Sequence, residues 1–243
     1  MKNSEQREIR DDERKIVAAL RSGGMISDLK AEETVTRVKL FMAQGRLVFE
    51  KVSPRPHESL FSNRALRNRF LASKSACAAF IMSIDIRRSA ELMLNARSME
   101  LFGEFMAGLC EELKGLICER FGIVDKFTGD GLLASFPEFF SDPDAGYRAI
   151  SAAHEAHLVF RKRYKQHRSS FFTVLTDIGL GIGIDYGNIR FMRIAGDLTV
   201  VGAPVVNAAR LSSAPVGKTV LNQQAHEKNH EPTARTALRL KWN

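Results

Sequence analysis

The sequence predicts an α+β fold, and three observations predict it. Residues 78–86 (AAFIMSIDI) form an apolar run of strand length, β-branched and aromatic in content, which reads as a buried strand. Residues 98–120 repeat Leu101, Phe102, Phe105, Met106, Leu109, Leu113, Leu116 and Ile117 at helical spacing, the stripe of a helix lying on a core. Residues 124–136 (VDKFTGDGLLASF) set β-formers on both sides of Thr128-Gly129-Asp130-Gly131, the chemistry of a tight reversal, and predict a β-hairpin with Asp130 at its tip.

The other elements follow in chain order. Residues 1–75 read as a separate helical extension. One helix is expected over 10–21, with Ile16, Val17 and Leu20 on one stripe, and another over 30–43, entered through Asp28 and acidic at its start. Pro54 and Pro56 interrupt that pattern, and a short basic helix over 63–73 leads into the first strand. No residue there suggests catalysis, so the extension is expected to serve docking or dimerisation. Residues 76–243 are expected to form the second domain. It continues with a short helix over 89–96 and, after the hairpin, a helix opened by Pro143-Asp144-Ala145 and ending near residue 168. Residues 174–184 read as a strand in which Gly179, Gly181 and Gly183 alternate with Leu180, Ile182 and Ile184. That spacing does not make GxGxxG, and glycines along one strand face imply the close approach of a helix or a ligand. A second hairpin over 188–201 and a helix over 205–211 complete the reading. Strand, helix, hairpin, helix, strand is the order of a ferredoxin-like βαββαβ core, here with extensions.

At 243 residues the chain can bury one sizeable core with an added element, or two small ones. No apolar run approaches the roughly 18 residues of a membrane span, and the amino terminus lacks the apolar segment of a signal peptide, so the expectation is a cytoplasmic protein with no membrane partner. Cys77, Cys110 and Cys118 are odd in number and without CxxC spacing, and are expected to be reduced core thiols. A net charge of +8 suits an anionic partner. The densest basic group, Arg161 to Arg168, falls at a helix end, where cations complement the dipole; a solvated helix end is the reading there, and no nucleic-acid partner is expected. A nucleoside triphosphate would equally account for the positive field.

Asp85 interrupts an apolar strand. An ionised carboxylate costs several kcal/mol to bury without compensation, so it belongs at a strand mouth or with a positive partner. Asp130 alone is a plain turn residue or a ligand. Together the two carboxylates could hold one or two divalent cations against phosphate oxygens, as Mg²⁺ and Mn²⁺ prefer.

Asp85-Ile86, then Lys126-Phe127-Thr128-Gly129-Asp130 on the hairpin 45 residues later, then residues 199–211 (TVVGAPVVNAARL) resemble the three signature segments of the class III nucleotidyl cyclases. The resemblance spans about residues 76 to 225. It implies a ferredoxin-like cyclase core and two Mn²⁺ or Mg²⁺ ions per site, held by Asp85, Asp130 and the main-chain carbonyl of Ile86. It makes Arg210 the arginine that stabilises the transition state. Lys126 and Thr199 become the residues that read the base. It further implies a head-to-tail homodimer with active sites shared between chains.

Two departures narrow it. Four residues before Arg210, where the family commonly has Asn, stands Val206; Asn207 is one step away, about 100° around the helix. After Asp85-Ile86 the usual Gly-Phe-Thr is replaced by Arg88-Ser89-Ala90, so Arg88 and Ser89 join the candidate substrate-binding residues. DIRRSAELMLNAR, DKFTGDGLLASFPEFFSDPDA and LTVVGAPVVNAARLSSAPVGKTVLNQ resemble the stand-alone pyrimidine cyclases of bacterial anti-phage Pycsar systems. That implies cyclic UMP or cyclic CMP made from UTP or CTP, and a separate effector activated by the product. An adenylate cyclase making cyclic AMP and an inert cyclase-like binding module are the alternatives. A further alternative is a nucleic-acid binder of related fold. Lys241 is matched to a pyrophosphate-binding lysine.

Overall fold

The computed structural model describes residues 76–141, 144–194 and 197–230. The helices expected over residues 1–75, and Lys241, lie outside the described residues. The first strand, β1 (Ala76–Arg87), leads through the short α1 (Ser89–Leu94) to the long α2 (Met99–Glu119). The hairpin β2 (Ile123–Phe127) and β3 (Gly131–Pro137) follows, then α3 (Glu138–Ser141) and α4 (Ala145–Gln166). The chain continues through β4 (Gly179–Ile194), β5 (Asp197–Val201), α5 (Ala203–Leu211), β6 (Lys218–Leu221) and α6 (Gln223–His230).

The sheet runs β2-β3-β1-β4-β5, with β6 beside β4. β1 is central. It pairs antiparallel with β3 on one side and β4 on the other, while β6 joins β4 in parallel. The first four strands in this order, with α2 and α4 as crossovers, are the expected βαββαβ core. The glycine-bearing strand begins at Gly179 rather than 174 and runs unbroken to Ile194, so it also supplies the first strand of the second hairpin. The strand β6 and the helix α6 were not expected. Val200 N donates to Asp125 Oδ1 at 3.1 Å, so β5, at one end of the strand order, meets β2 at the other. The sheet is curled until its ends touch.

Alternation along β1 builds two cores. Phe80, Met82, Ile84 and Ile86 join the large cluster under α2 and α4, whereas Ala79 and Ile81 face a smaller one with Leu133, Ile189, Val200 and Ala208 of α5. On α2, Phe105, Leu109, Leu113, Leu116 and Ile117 are buried. Burying each is worth roughly 1.5–3 kcal/mol, which outweighs three helical glycines at about 1 kcal/mol apiece. One of those glycines has a packing reason. A Cβ on Gly108 would fall 1.7 Å from Arg163 Nη2, and that guanidinium donates to Phe105 O (3.0 Å), Glu104 O (3.1 Å) and Glu112 Oε1 (2.7 Å). Arg163, in the basic run expected to be solvated, therefore clamps α4 to α2. Cys118 is buried and Cys77 and Cys110 half-buried, all free thiols; burial, helped by Glu138, pushes Cys77 up to about 11. Among the described residues no helix is long and apolar enough to cross a membrane.

The glycines of β4 face α5. A Cβ on Gly183 would lie 2.2 Å from Ala208 O and 2.5 Å from Ser212 N, and one on Gly181 would lie 2.4 Å from Ser212 O. These neighbours are backbone, so the helix itself would have to move. Gly183→Ala is expected to lower the unfolding free energy by about 1–3 kcal/mol through overpacking. Gly103→Ala, on α2 with no heavy atom within 4 Å of the new Cβ, is expected to raise it by roughly 0.5–1 kcal/mol. Urea midpoints of the two variants check both signs.

Candidate active site

Backbone geometry fixes the two carboxylates. Asp85 stands opposite Gly131 of β3 and Gly181 of β4, and Ile86 N donates to Asp130 O at 3.2 Å. A Cβ on Gly131 would lie 2.4 Å from Ile84 O, so only glycine lets the turn close onto β1 this tightly. Within the turn, Thr128 N donates to Gly131 O (2.9 Å) and Gly129 takes φ 78°. Asp85 and Asp130 are each partly exposed.

Each carboxylate has a partner. Arg87 Nη1 donates to Asp85 Oδ2 at 2.8 Å, and the Ser89 hydroxyl donates to Asp130 Oδ2. Between them Arg88 adopts a left-handed backbone, φ 61°, which turns the chain from β1 into α1. The Arg88 side chain goes elsewhere: its Nε donates to Glu91 Oε1 at 2.9 Å and its Nη1 lies 3.8 Å from Asp177 Oδ2. The structure thus brings Asp85, Ile86, Asp130 and Ser89 together and directs Arg88 away. Arg87, which sequence reading passed over, occupies the mouth instead.

The second group lies on β2 and β5. Register shifts between Val124 and Lys126, a bulge that re-aims the strand. Lys126 is paired with Leu133, which is paired with Ser83, which is paired with Gly183. Lys126 therefore shares with Asp85 the sheet face on which α5 packs. Lys126 Nζ donates to Thr199 Oγ1 at 2.7 Å, and Thr199 Oγ1 donates to Asp125 Oδ2 at 2.9 Å. The Asp125 side chain is 2% exposed and lies 3.4 Å from Lys126 Nζ.

On α5 the helical offset decides which side chains face the sheet. Ala208 is buried and Asn207 Nδ2 donates to Asp185 Oδ2 at 2.8 Å; Val206 and Arg210, one turn apart, are exposed on the outer face. Asp185 is itself 0% exposed, with Oδ1 accepting from Tyr186 N at 2.8 Å. Asn207 therefore anchors α5 to β4. The Arg210 side chain makes no hydrogen bond or ion pair with a described residue.

Two carboxylates and a main-chain carbonyl form an all-oxygen donor set of the kind Mg²⁺ and Mn²⁺ take, with other oxygens completing the shell. Among the described residues no cluster of three or more His, Cys, Asp or Glu could hold an ion alone, so oxygens from outside the protein would have to complete the shell.

No protein-family model matches this sequence, and no curated protein matches it. Solved structures do. The adenylyl cyclase CyaB from P. aeruginosa superposes with TM-score 0.57 at 19% identity, over 63% of this chain and 80% of that one. The guanylyl cyclase Cya2 gives TM-score 0.57 at 23% identity, over 64% of this chain and 80% of that one. The guanylate cyclase domain of RhGC from Catenaria anguillulae, in complex with GTP, gives 0.53 at 17% identity, over 65% and 85%. The chain has the nucleotidyl cyclase catalytic fold. The α+β class and the core strand order expected from sequence hold within that fold.

Asp125, Arg87 and Asp185 are the residues that sequence reading missed. A signal existed for two of them. Asp125 in IVDKF and Asp185 in GIGIDYG interrupt apolar strands as Asp85 does. Asn207→Ala removes a donor from the buried Asp185 carboxylate and is expected to cost about 1–3 kcal/mol of stability. Denaturant unfolding measures it, and a variant as stable as the parent would mean the anchor carries nothing.

Proposed function

We propose that this chain is a nucleotide cyclase that converts a pyrimidine nucleoside triphosphate, UTP or CTP, to its 3′,5′-cyclic monophosphate and pyrophosphate. The observation that carries the reading is that the sheet carries two groups of opposite character. Asp85 and Asp130 suit hard cations and phosphate oxygens, while Lys126 and Thr199, in mutual hydrogen bond, suit the edge of a base. The cyclase fold supports the reaction class. Resemblance of the three sequence segments to the Pycsar enzymes supports the pyrimidine, and with it an anti-phage second messenger that acts on a separate effector.

In this reading the 3′-hydroxyl oxygen of the substrate attacks its own α-phosphorus, the bond to the bridging oxygen of the β-phosphate breaks, and the hydroxyl proton leaves to solvent. Such a reaction needs positioning and charge neutralisation more than covalent help. Asp85, Asp130 and the Ile86 carbonyl would hold Mg²⁺ or Mn²⁺, which would supply positive charge toward the hydroxyl and the triphosphate. Ser89 holds Asp130 in place. Arg210, exposed and uncommitted, would meet charge developing on the α-phosphate. It points away from the sheet of its own chain. A second copy docked head to tail would therefore bring Arg210, Lys126 and Thr199 of one protomer to the carboxylates of its partner. A cytoplasmic location fits a messenger-making enzyme.

The Lys126–Thr199 bond also supports a second reading, since a donor beside an acceptor suits adenine. The test is turnover of ATP, GTP, CTP and UTP, each with Mn²⁺, the products separated by mass. Cyclic UMP or cyclic CMP is expected, with Asp85→Ala and Asp130→Ala lowering turnover at least a thousandfold and Arg210→Ala by about 10²–10³. Cyclic AMP alone would remove the pyrimidine assignment and leave the cyclase. Absence of product from all four would remove both.

A further inference from the structure

We propose that Asp125 is the positioning residue that fixes the hydrogen-bonding sense of the base-reading site. The inference rests on the reading of Lys126 and Thr199 as base readers and adds what sets their polarity. It follows from counting protons. A threonine hydroxyl has one hydrogen to donate and two lone pairs to accept with, an ammonium only donates, and a carboxylate in an ion pair only accepts. Lys126 Nζ lies 2.7 Å from Thr199 Oγ1, so the hydroxyl accepts there. Asp125 Oδ2 lies 2.9 Å from the same oxygen, so the hydroxyl must donate there. Its single hydrogen is committed, and one lone pair remains.

Asp125 is placed to enforce this. Its side chain is 2% exposed, its other oxygen accepts from Val200 N at 3.1 Å, and Lys126 Nζ stands 3.4 Å from Oδ2. The carboxylate cannot rotate without breaking the backbone bond that ties β2 to β5. Thr199 is 7% exposed, so no bulk water competes to turn its hydroxyl. Lys126, 49% exposed along its side chain, keeps two further N–H groups. The site offers one donor and one acceptor side by side.

Such a pair takes a base edge with a hydrogen-bond donor next to an acceptor. The amino edges of cytosine and adenine provide it in one order, and the keto–imino edges of uracil and guanine in the other. The donor is exocyclic in the first order and a ring N–H in the second, so with the sugar and triphosphate holding the base in register the two exclude each other. A site whose acceptor cannot become a donor is locked to one of them, and Asp125 supplies the lock. Replacing it by asparagine keeps the shape and the bond from Val200 N but sets an amide N–H against Thr199 Oγ1. The hydroxyl must then accept from both neighbours and turn its hydrogen outward, leaving donors only.

The experiment is equilibrium binding of the four 3′-deoxynucleoside triphosphates, which lack the attacking hydroxyl, to the full chain with Mn²⁺, followed by calorimetry. The parent is expected to prefer one base at least tenfold. Asp125→Asn is expected to abolish that preference while leaving the weakest of the four within threefold of its parent value, because the triphosphate contacts are untouched. Thr199→Val should have the same effect, and the double variant no more. A preference retained in Asp125→Asn, or an equal loss for all four nucleotides, overturns the proposal, as does a parent that binds without preference. Should Asp125→Asn fail to fold, Thr199→Val and Thr199→Ser decide: preference lost in the first and kept in the second supports the hydroxyl's role, and preference kept in both refutes it. A parent that shows the preference, loses it in Asp125→Asn and cyclises nothing would uphold the proposal and remove the cyclase reading. No binding of any nucleotide would remove both.

Discussion

The close approach of α5 to the glycine row of β4 is the constraint on which the rest of the structure depends. Gly181 and Gly183 have no side chain because backbone of α5 and of the turn that follows it stands where a Cβ would be, 2.4 and 2.2 Å away at the nearest atoms. Helices usually pack on sheets at side-chain distance. Here contact at backbone distance brings α5 near enough for Asn207 to reach the buried Asp185, and that bond fixes the rotation of the helix. With Asn207 and Ala208 facing inward, Val206 and Arg210 must face outward, whatever either of them would prefer.

Four aspartates coexist on this curled β-sheet. Isolated carboxylates would be costly at these positions, and each has been given a partner suited to its depth. Asp185, fully enclosed, takes two neutral N–H donors, from Tyr186 N and Asn207. Asp125 takes a backbone N–H, a hydroxyl and a nearby ammonium. Asp85 and Asp130, half-open at the strand ends, have one side-chain partner each, Arg87 and Ser89. The gradient divides structure from chemistry. Carboxylates saturated by the fold hold other residues in place, and those with open lone pairs and access to solvent are free to take ligands.

Much of this was legible in the sequence because it rests on local rules. The β1 strand, the α2 stripe and the turn at Asp130 each follow from period, apolar content or turn residues, and the glycine row announced a close neighbour before the neighbour was known. The misplacement of Asn207 relative to Arg210 was a matter of 100° per residue, and the helix places it inward as that arithmetic requires. What escaped depends on contacts between distant segments. Asp125 gains its meaning only when curling carries β5 back to β2, 75 residues later in the chain. Arg163 reads as a solvated cation until α2 and α4 are laid together. The continuous β4 was split in reading because its second half, GNIRFMRI, changes from glycine-rich to mixed polarity where its neighbour changes from β6 to β5.

Arg210 brings these constraints to one point. Arg87, Arg88 and Arg163 are each held by an acid of this chain, whereas Arg210, like Arg161, Arg168 and Arg190, has no such partner among the described residues. Its neighbour one turn back is Val206, 51% exposed, which offers it no hydrogen bond and no competing charge. The chain instead uses its one asparagine in that turn to anchor the helix and leaves a lone guanidinium beside an apolar side chain. A cation so placed keeps its charge and its planar donors open to solvent, because the rotation that seats Asn207 and Ala208 against the sheet leaves no group of the same chain to claim them.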